Sequence, residues 1–280
     1  MNIVEYAKFK KMFGSGGGAS GGGNERDLGY WFFTKLDQIE SYTSYEDPET
    51  GDMLEDVVTL GIKDSITVPR QVQDGSATSF ENLFADFYYD EMAWQTYETG
   101  VWAKEICGVI NCANVTSLDS LFYMCEETEE ICPIINTENV TDFSNMFLSC
   151  GKLTNIPPID IRNATKVGSM FGSCYALESV ILKNIKVSID VRYSTNLTVD
   201  SLVGLCYELI NTGSTKTLTI GNTNLNKLAN VYVKSIPITD AMRAEDDLID
   251  DKMPFVRCES TDSGATKITD YIKAKNWALK

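Results

Sequence analysis

The chain contains no histidine. Every mechanism that needs an imidazole is therefore excluded: Ser-His-Asp and Cys-His nucleophiles, His-ligated zinc, and histidine acid–base work. Positive charge is scarce. Lys and Arg number 24 against 40 Asp and Glu, for a formal charge of −16 and a pI near 4.4. Nucleic-acid surfaces need clustered Lys and Arg, and anionic membranes attract basic segments. Neither partner is expected, nor is membrane insertion, because no stretch reaches 18 consecutive apolar residues. The opening MNIVEYAKFKKMFG lacks the continuous apolar core and small-residue cleavage site of a signal peptide. No C-x-x-C knuckle occurs among the eight cysteines, so a zinc site finds no support. No cofactor is expected.

What is present can fold. The chain is 43% hydrophobic and 10% aromatic over 280 residues, enough to bury a core. Five segments are expected. Residues 1–13 read as a short amphipathic helix, with Ile3, Val4, Tyr6, Ala7, Phe9 and Phe13 as its anchoring groups. So short a helix is marginal alone and needs a partner, or copies of itself, to become ordered. Residues 14–23, GSGGGASGGG, form a flexible tether reaching roughly 35 Å when fully stretched. The glycine-motif matches inside it carry no phosphate-binding meaning, since no strand precedes them. Residues 24–76 form an acidic, aromatic N-terminal segment and cap, in which DPETGD at Asp47–Asp52 marks a turn without the spacing of a calcium loop.

An internal repeat decides the reading of residues 77–221. NVTSLDSLFYMC (Asn114–Cys125), NVTDFSNMFLSC (Asn139–Cys150) and NATKVGSMFGSC (Asn163–Cys174) are spaced 25 and then 24 residues apart. Equivalent columns are Asn114/Asn139/Asn163, Leu118/Phe143/Val167, Leu121/Met146/Met170, Phe122/Phe147/Phe171 and Cys125/Cys150/Cys174. Two further columns follow, Thr128/Leu153/Leu177 and Ile131/Ile156/Val180. A unit of this length is one coil of a solenoid whose apolar columns stack into a continuous core. The expected fold is an α/β solenoid of right-handed coils of about 24–25 residues. The 118, 121, 122, 125 spacing reads as a short helical turn on one face. The stretches around Ile131, Ile156 and Val180 read as a parallel strand ladder on the other. The cysteine column is expected to be buried thiols packed as small hydrophobes, because three in a row cannot all pair with one another; a disulfide between neighbours or a metal is the alternative. The asparagine column, although it matches N-x-[ST], is expected to bond backbone between coils.

Two departures from the repeat stand out. Leu83 and Phe84 occupy the Met-Phe columns of an earlier coil, and 38 residues separate Phe84 from Phe122. The extra length holds the aromatic insertion Phe87–Trp102. Its residues Tyr88, Tyr89, Trp94, Tyr97 and Trp102 are the candidate ligand-binding groups, since tyrosine and tryptophan offer large contact area at small entropic cost. A cap over the first coil is the competing reading of the same residues. Residues 222–280 are expected to be a C-terminal capping region, with Glu245–Asp251 as a solvated loop. No spacing singles out a carboxylate pair, so no catalytic residue is assigned and the protein is not expected to be an enzyme.

The unit N-V-T-x-[FM]-S-x-M-F-x-x-C-x-x-L-x-x-I resembles the BspA-type leucine-rich repeat over about Thr78 to Leu182. Such repeats are common in bacterial surface proteins and in phages of gut bacteria. The final TLTIGNTNLNKL and ITDYIKAKNWALK resemble the closing coil of phage-encoded members. The initial K-K-M-F-G with its glycine tether is similar to the start of phage tail or fibre-associated proteins. The resemblance implies a binding scaffold without catalytic residues. It suggests a virion component at a tail, baseplate or fibre, docked on other virion proteins through its N-terminal helix and facing a host surface glycan or protein. A homo-oligomer would fit the same arrangement, through avidity. The alternative is a bacterial cell-surface adhesin or interaction protein.

Overall fold

The computed structural model describes residues 43–46, 53–56, 63–68, 70–80, 83–84, 86–90, 95–99, 103–252 and 254–280. The anchoring groups Ile3, Val4, Tyr6, Ala7, Phe9 and Phe13 and the tether lie outside them, as do Trp94 and Trp102. Strands β1 (Thr43–Glu46) and β2 (Met53–Asp56) form an antiparallel pair. β3 (Lys63–Thr67) and the single helical turn α1 (Arg70–Gln73) follow. β4 (Asp86–Asp90) and β5 (Gln95–Thr99) make an antiparallel ribbon, and β6 (Ala103–Cys107) then returns beside β3.

From β6 the chain winds as stacked coils. β7 (Ile110–Asn111), β8 (Glu130–Ile131), β9 (Ile134–Ile135), β10 (Asn155–Asp160) and β11 (Ser179–Lys183) all pair in parallel. The register sets Ile66, Ile106 and Ile131 side by side, and Ile156 beside Val180. The paired strands are interrupted between β8 and β10. Pro157 and Pro158 bring no amide hydrogens to that boundary.

The opposite side of each coil differs from the helical expectation. Between residues 110 and 198 there is no α-helix, only a 3-10 turn at Thr137–Asn139. The chain instead runs through consecutive reverse turns. The Leu121 amide bonds the Leu118 carbonyl at 3.3 Å, and the Cys125 amide bonds the Phe122 carbonyl at 3.1 Å. The same pair of turns recurs at Phe143–Met146 with Phe147–Cys150, and at Val167–Met170 with Phe171–Cys174. The third residue of each turn has positive φ: Ser120 (59°), Asn145 (54°) and Ser169 (53°), then Met124 (59°), Ser149 (67°) and Ser173 (58°). Such a φ at the third position is what a type II turn needs. Two successive turns place their first and last residues inward. They therefore reproduce the 0, 3, 4, 7 apolar pattern of a helix without being one.

Turns leave amides free to point between coils, which a helix would not. The amides of Leu118, Ser120, Phe122 and Met124 donate to the carbonyls of Asp142, Ser144, Met146 and Leu148 at 2.8–2.9 Å. Those of Phe143, Asn145, Phe147 and Ser149 donate to Lys166, Gly168, Met170 and Gly172 at 2.8–3.0 Å. Inside this ladder the rings of Phe84, Phe122, Phe147 and Phe171 stack nearly parallel, with centroids 5.2, 5.3 and 5.8 Å apart. Thr128, in a leucine column, is buried because its hydroxyl donates to the Ala103 carbonyl at 2.8 Å. Among the described residues, which include all eight cysteines, no disulfide forms. The column thiols are hydrogen-bonded: Cys150 donates to the Phe122 carbonyl at 3.1 Å and Cys174 to the Phe147 carbonyl at 3.0 Å.

Further on, true helices take the place of the turns. β12 (Ile189–Asp190) leads to α2 (Val199–Tyr207), capped by the Thr198 hydroxyl, which accepts from the Ser201 amide. β13 (Lys216–Thr219) leads to α3 (Gly221–Leu228). β14 (Tyr232–Ser235), α4 (Asp240–Glu245), α5 (Ile249–Lys252), β15 (Phe255–Cys258) and β16 (Thr266–Lys267) contribute a small antiparallel sheet in the order β15-β14-β16. α6 (Ile268–Ala274) and β17 (Trp277–Leu279) close the chain, and β17 joins the parallel sheet β12-β13-β17. The buried Trp277 donates its indole N–H to the Ile210 carbonyl at 2.9 Å.

Candidate functional site

The aromatic insertion is a β-ribbon placed between two members of the core. It leaves after Phe84, which heads the ring stack, and re-enters at β6, the central strand of β3-β6-β8. Its register sets Asp86 opposite Thr99, Phe87 opposite Glu98, Tyr88 opposite Tyr97, Tyr89 opposite Thr96, and Asp90 opposite Gln95. Of the expected ligand-binding groups, Tyr88 and Tyr97 are thus direct cross-strand partners. Tyr89 belongs to the alternate set of positions, and Trp94 and Trp102 lie outside the described residues.

The repeat's polar columns are used within the stack. The Asn114 side chain donates to the Gly75 carbonyl at 2.7 Å, Asn139 to Ala113 at 3.5 Å, and Asn163 to Glu138 at 2.7 Å. A second polar column escaped the sequence reading. Its members are Asn111, Asn136, Asp160 and Asp190, within INCANVT, INTENVT, IDIRNAT and IDVRYST. Asn111, Asp160 and Asp190 each accept from the amide two residues on, at 3.2, 2.9 and 3.1 Å. Asn136 instead donates to Asn111 of the coil before, at 2.9 Å. The last member reveals a fourth copy, set 30 residues beyond the third. In that copy Tyr193 stands in the asparagine column and is 51% exposed, and Tyr175, just after Cys174, is 58% exposed. Both are large exposed side chains, and Tyr193 is signalled in the sequence by the broken asparagine column.

The acidic run 245–251 is not simply a solvated loop. Buried Lys252 is held by Asp246 and, at 3.0 Å, by Glu208 just past α2. Burial works against the ammonium charge, but these two hydrogen-bonded carboxylates outweigh it and raise the Lys252 pKa. Burial likewise pushes on Asp246, yet Lys252 and the Leu248 amide hold its pKa below the usual carboxylate value. Asp247 meets Arg162 at 3.1 Å, and Arg162 also grips Asp160 at 2.8 Å. Asp160 accepts from the Asn184 side chain at 2.7 Å, and Glu208 accepts from the Asn184 amide at 3.0 Å. Fully buried Lys275 donates to the Lys252 carbonyl, and burial lowers its pKa to about 8. This chain of contacts ties α4, α5 and α6 to the coils, with every carboxylate in it already engaged. Among the described residues no three His, Cys, Asp or Glu side chains converge as metal ligands, and no helix is long and apolar enough to cross a membrane.

No curated protein and no solved structure matches the chain. Residues 90–196, from the end of β4 to the start of the fourth copy of the repeat, match the family model described as Mycoplasma protein of unknown function, DUF285.

Proposed function

We propose that this protein is a non-enzymatic recognition scaffold. Its coils are a right-handed solenoid of the BspA-type leucine-rich repeat, and its aromatic ribbon is the contact element. The observation that carries this reading is the placement of the ribbon. It interrupts the chain between Phe84 and Ala103, and the residues of the ring stack, the turns and the amide ladder lie outside that interruption. Tyr88 and Tyr97 stand at paired register positions on adjacent strands, and tyrosine is a residue type that offers large contact area to a sugar ring or a protein surface. In the phage reading, residues 1–13 dock the protein on a tail, baseplate or fibre, the glycine tether gives it reach, and copies on one particle add avidity for a host glycan or protein.

The test replaces Tyr88 and Tyr97 singly with Ala and measures melting temperature and attachment to host cells together. Lost attachment at an unchanged melting temperature supports the contact role. Lowered stability with attachment retained makes the ribbon a lid over the first coil. A chain starting at Asn24 should fold and bind but fail to enter particles. The cell-surface reading has one observation of its own, the family model named for a cellular organism. It expects the protein on bacterial surfaces and normal function without any particle.

A further inference from the structure

Six of the eight cysteines are buried; Cys107 and Cys258 are half-buried. Continued one position past the end of β8, the register Ile106↔Ile131 brings Cys107 abreast of Cys132. Adjacent parallel strands lie about 4.8 Å apart, and residues abreast of each other share a face. A disulfide needs Cα atoms roughly 4.4–6.8 Å apart. Cys107 is near enough to add to the upward push that burial gives the Cys132 thiol. We infer that Cys107 and Cys132 are a dithiol modification site, which a small-molecule disulfide of the glutathione type converts to a cross-link between the first and second coils.

The chemistry divides between the two residues. Half-buried Cys107, flanked by the Ser65 hydroxyl and the Glu105 carboxylate, is reachable, whereas Cys132 is 5% exposed. The Cys107 thiolate attacks one sulfur of oxidised glutathione, and one glutathione thiolate leaves. Cys132 then loses its proton to solvent and attacks the Cys107 sulfur of the mixed disulfide, releasing the second glutathione. Two protein thiols become one disulfide and one oxidised glutathione becomes two reduced molecules, so electrons and protons balance. Burial raises both thiol pKa values, that of Cys132 to about 11, so the reaction accelerates with pH. The inner column does not compete. Cys125, Cys150 and Cys174 are at most 1% exposed, and the last two spend their S–H groups on carbonyls of the preceding coil.

The experiment treats the full chain, carrying Cys258→Ser to remove the other half-buried thiol, with oxidised glutathione at mildly alkaline pH. Intact mass is read after alkylation, and melting temperature in parallel. The expected product has lost two hydrogens and two alkylatable thiols, melts higher, and reverts with dithiothreitol. Adding Cys132→Ser should trap one glutathione on Cys107, and adding Cys107→Ser should leave the protein unmodified. A stable glutathione adduct on the chain that retains both cysteines would overturn the proposal, because Cys132 would then be out of reach. Loss of two hydrogens that survives either substitution, or no reaction at all, would overturn it equally.

Discussion

The coils of residues 110–183 and the C-terminal part from α2 onward bury comparable apolar side chains by different means. In the first, each coil repeats the same turn at the same position, so identical groups stack: Phe on Phe, and Cys beneath a Phe carbonyl. In the second, α2, α3 and α6 supply the inward face. Leu202, Leu205, Ile268 and Ile272 stand where turns stood before, and ion pairs around Lys252 bind the inserted sheet. The family model stops at residue 196, three residues before α2 begins. The contrast teaches that a stack needs like residues only where neighbouring backbones bond each other directly. A helix satisfies its own amides and releases its residues from the column.

The largest expected effect lies in the ring stack. Phe147→Ala removes the ring between Phe122 and Phe171 and should cost roughly 3–5 kcal/mol. Chemical denaturation measures the loss. Hydrogen exchange should show amides of residues 118–174 opening together, since each coil covers the next. Exchange confined to the turn at Phe147 would mean that the coils do not act as a unit.

Lys252→Met probes the other part. It strands Glu208 and Asp246 and should cost about 3 kcal/mol, typical of breaking one side of a buried pair. Faster exchange should appear beyond residue 199 and spare the ring stack. Adding Glu208→Gln should recover part of the loss.

Alkali should act with opposite signs on the buried thiols, Cys206 of α2 among them, and on Lys275. Folded Cys112 and Cys174 keep their protons up to about pH 12, because burial raises them, while unfolded thiols ionise near 8.5. The native state therefore binds the extra proton across that window, and stability falls as pH rises, by about 1.4 kcal/mol per pH unit for each such thiol. Cys174→Ala should flatten the slope of stability against pH by about that amount. Lys275 acts oppositely. Its pKa is depressed to about 8, so the unfolded chain binds the extra proton between about 8 and 10.4 and stability rises there. Lys275→Met should steepen the alkaline loss.

The smallest effects test turn against helix directly. Ser149→Gly should stabilise by up to about 1 kcal/mol, since Ser149 sits at φ 67° where a Cβ is strained. In a helix the same change would destabilise. Gly204→Ala, in α2 with open space about it, should stabilise by about 1 kcal/mol. A loss of stability from Ser149→Gly would restore the helical reading of the coils.

The repeat period and its apolar and asparagine columns were legible in the sequence because each coil faces a near-copy of itself, so packing imposes the same side chain at each level. Phe84 could be placed across a 38-residue gap for the same reason. Turn and helix were not distinguishable there, since Leu118, Leu121, Phe122 and Cys125 satisfy either geometry, and only the amides of Ser120 and Met124 pointing at the next coil decide it. The fourth copy was hidden because Tyr193 breaks the asparagine column. The pairing of Tyr88 with Tyr97 and the Glu208–Lys252–Asp246 contacts join residues between 6 and 44 positions apart. No local pattern encodes such meetings. They arise from strand register and from where the inserted sheet comes to rest, which tertiary structure alone decides.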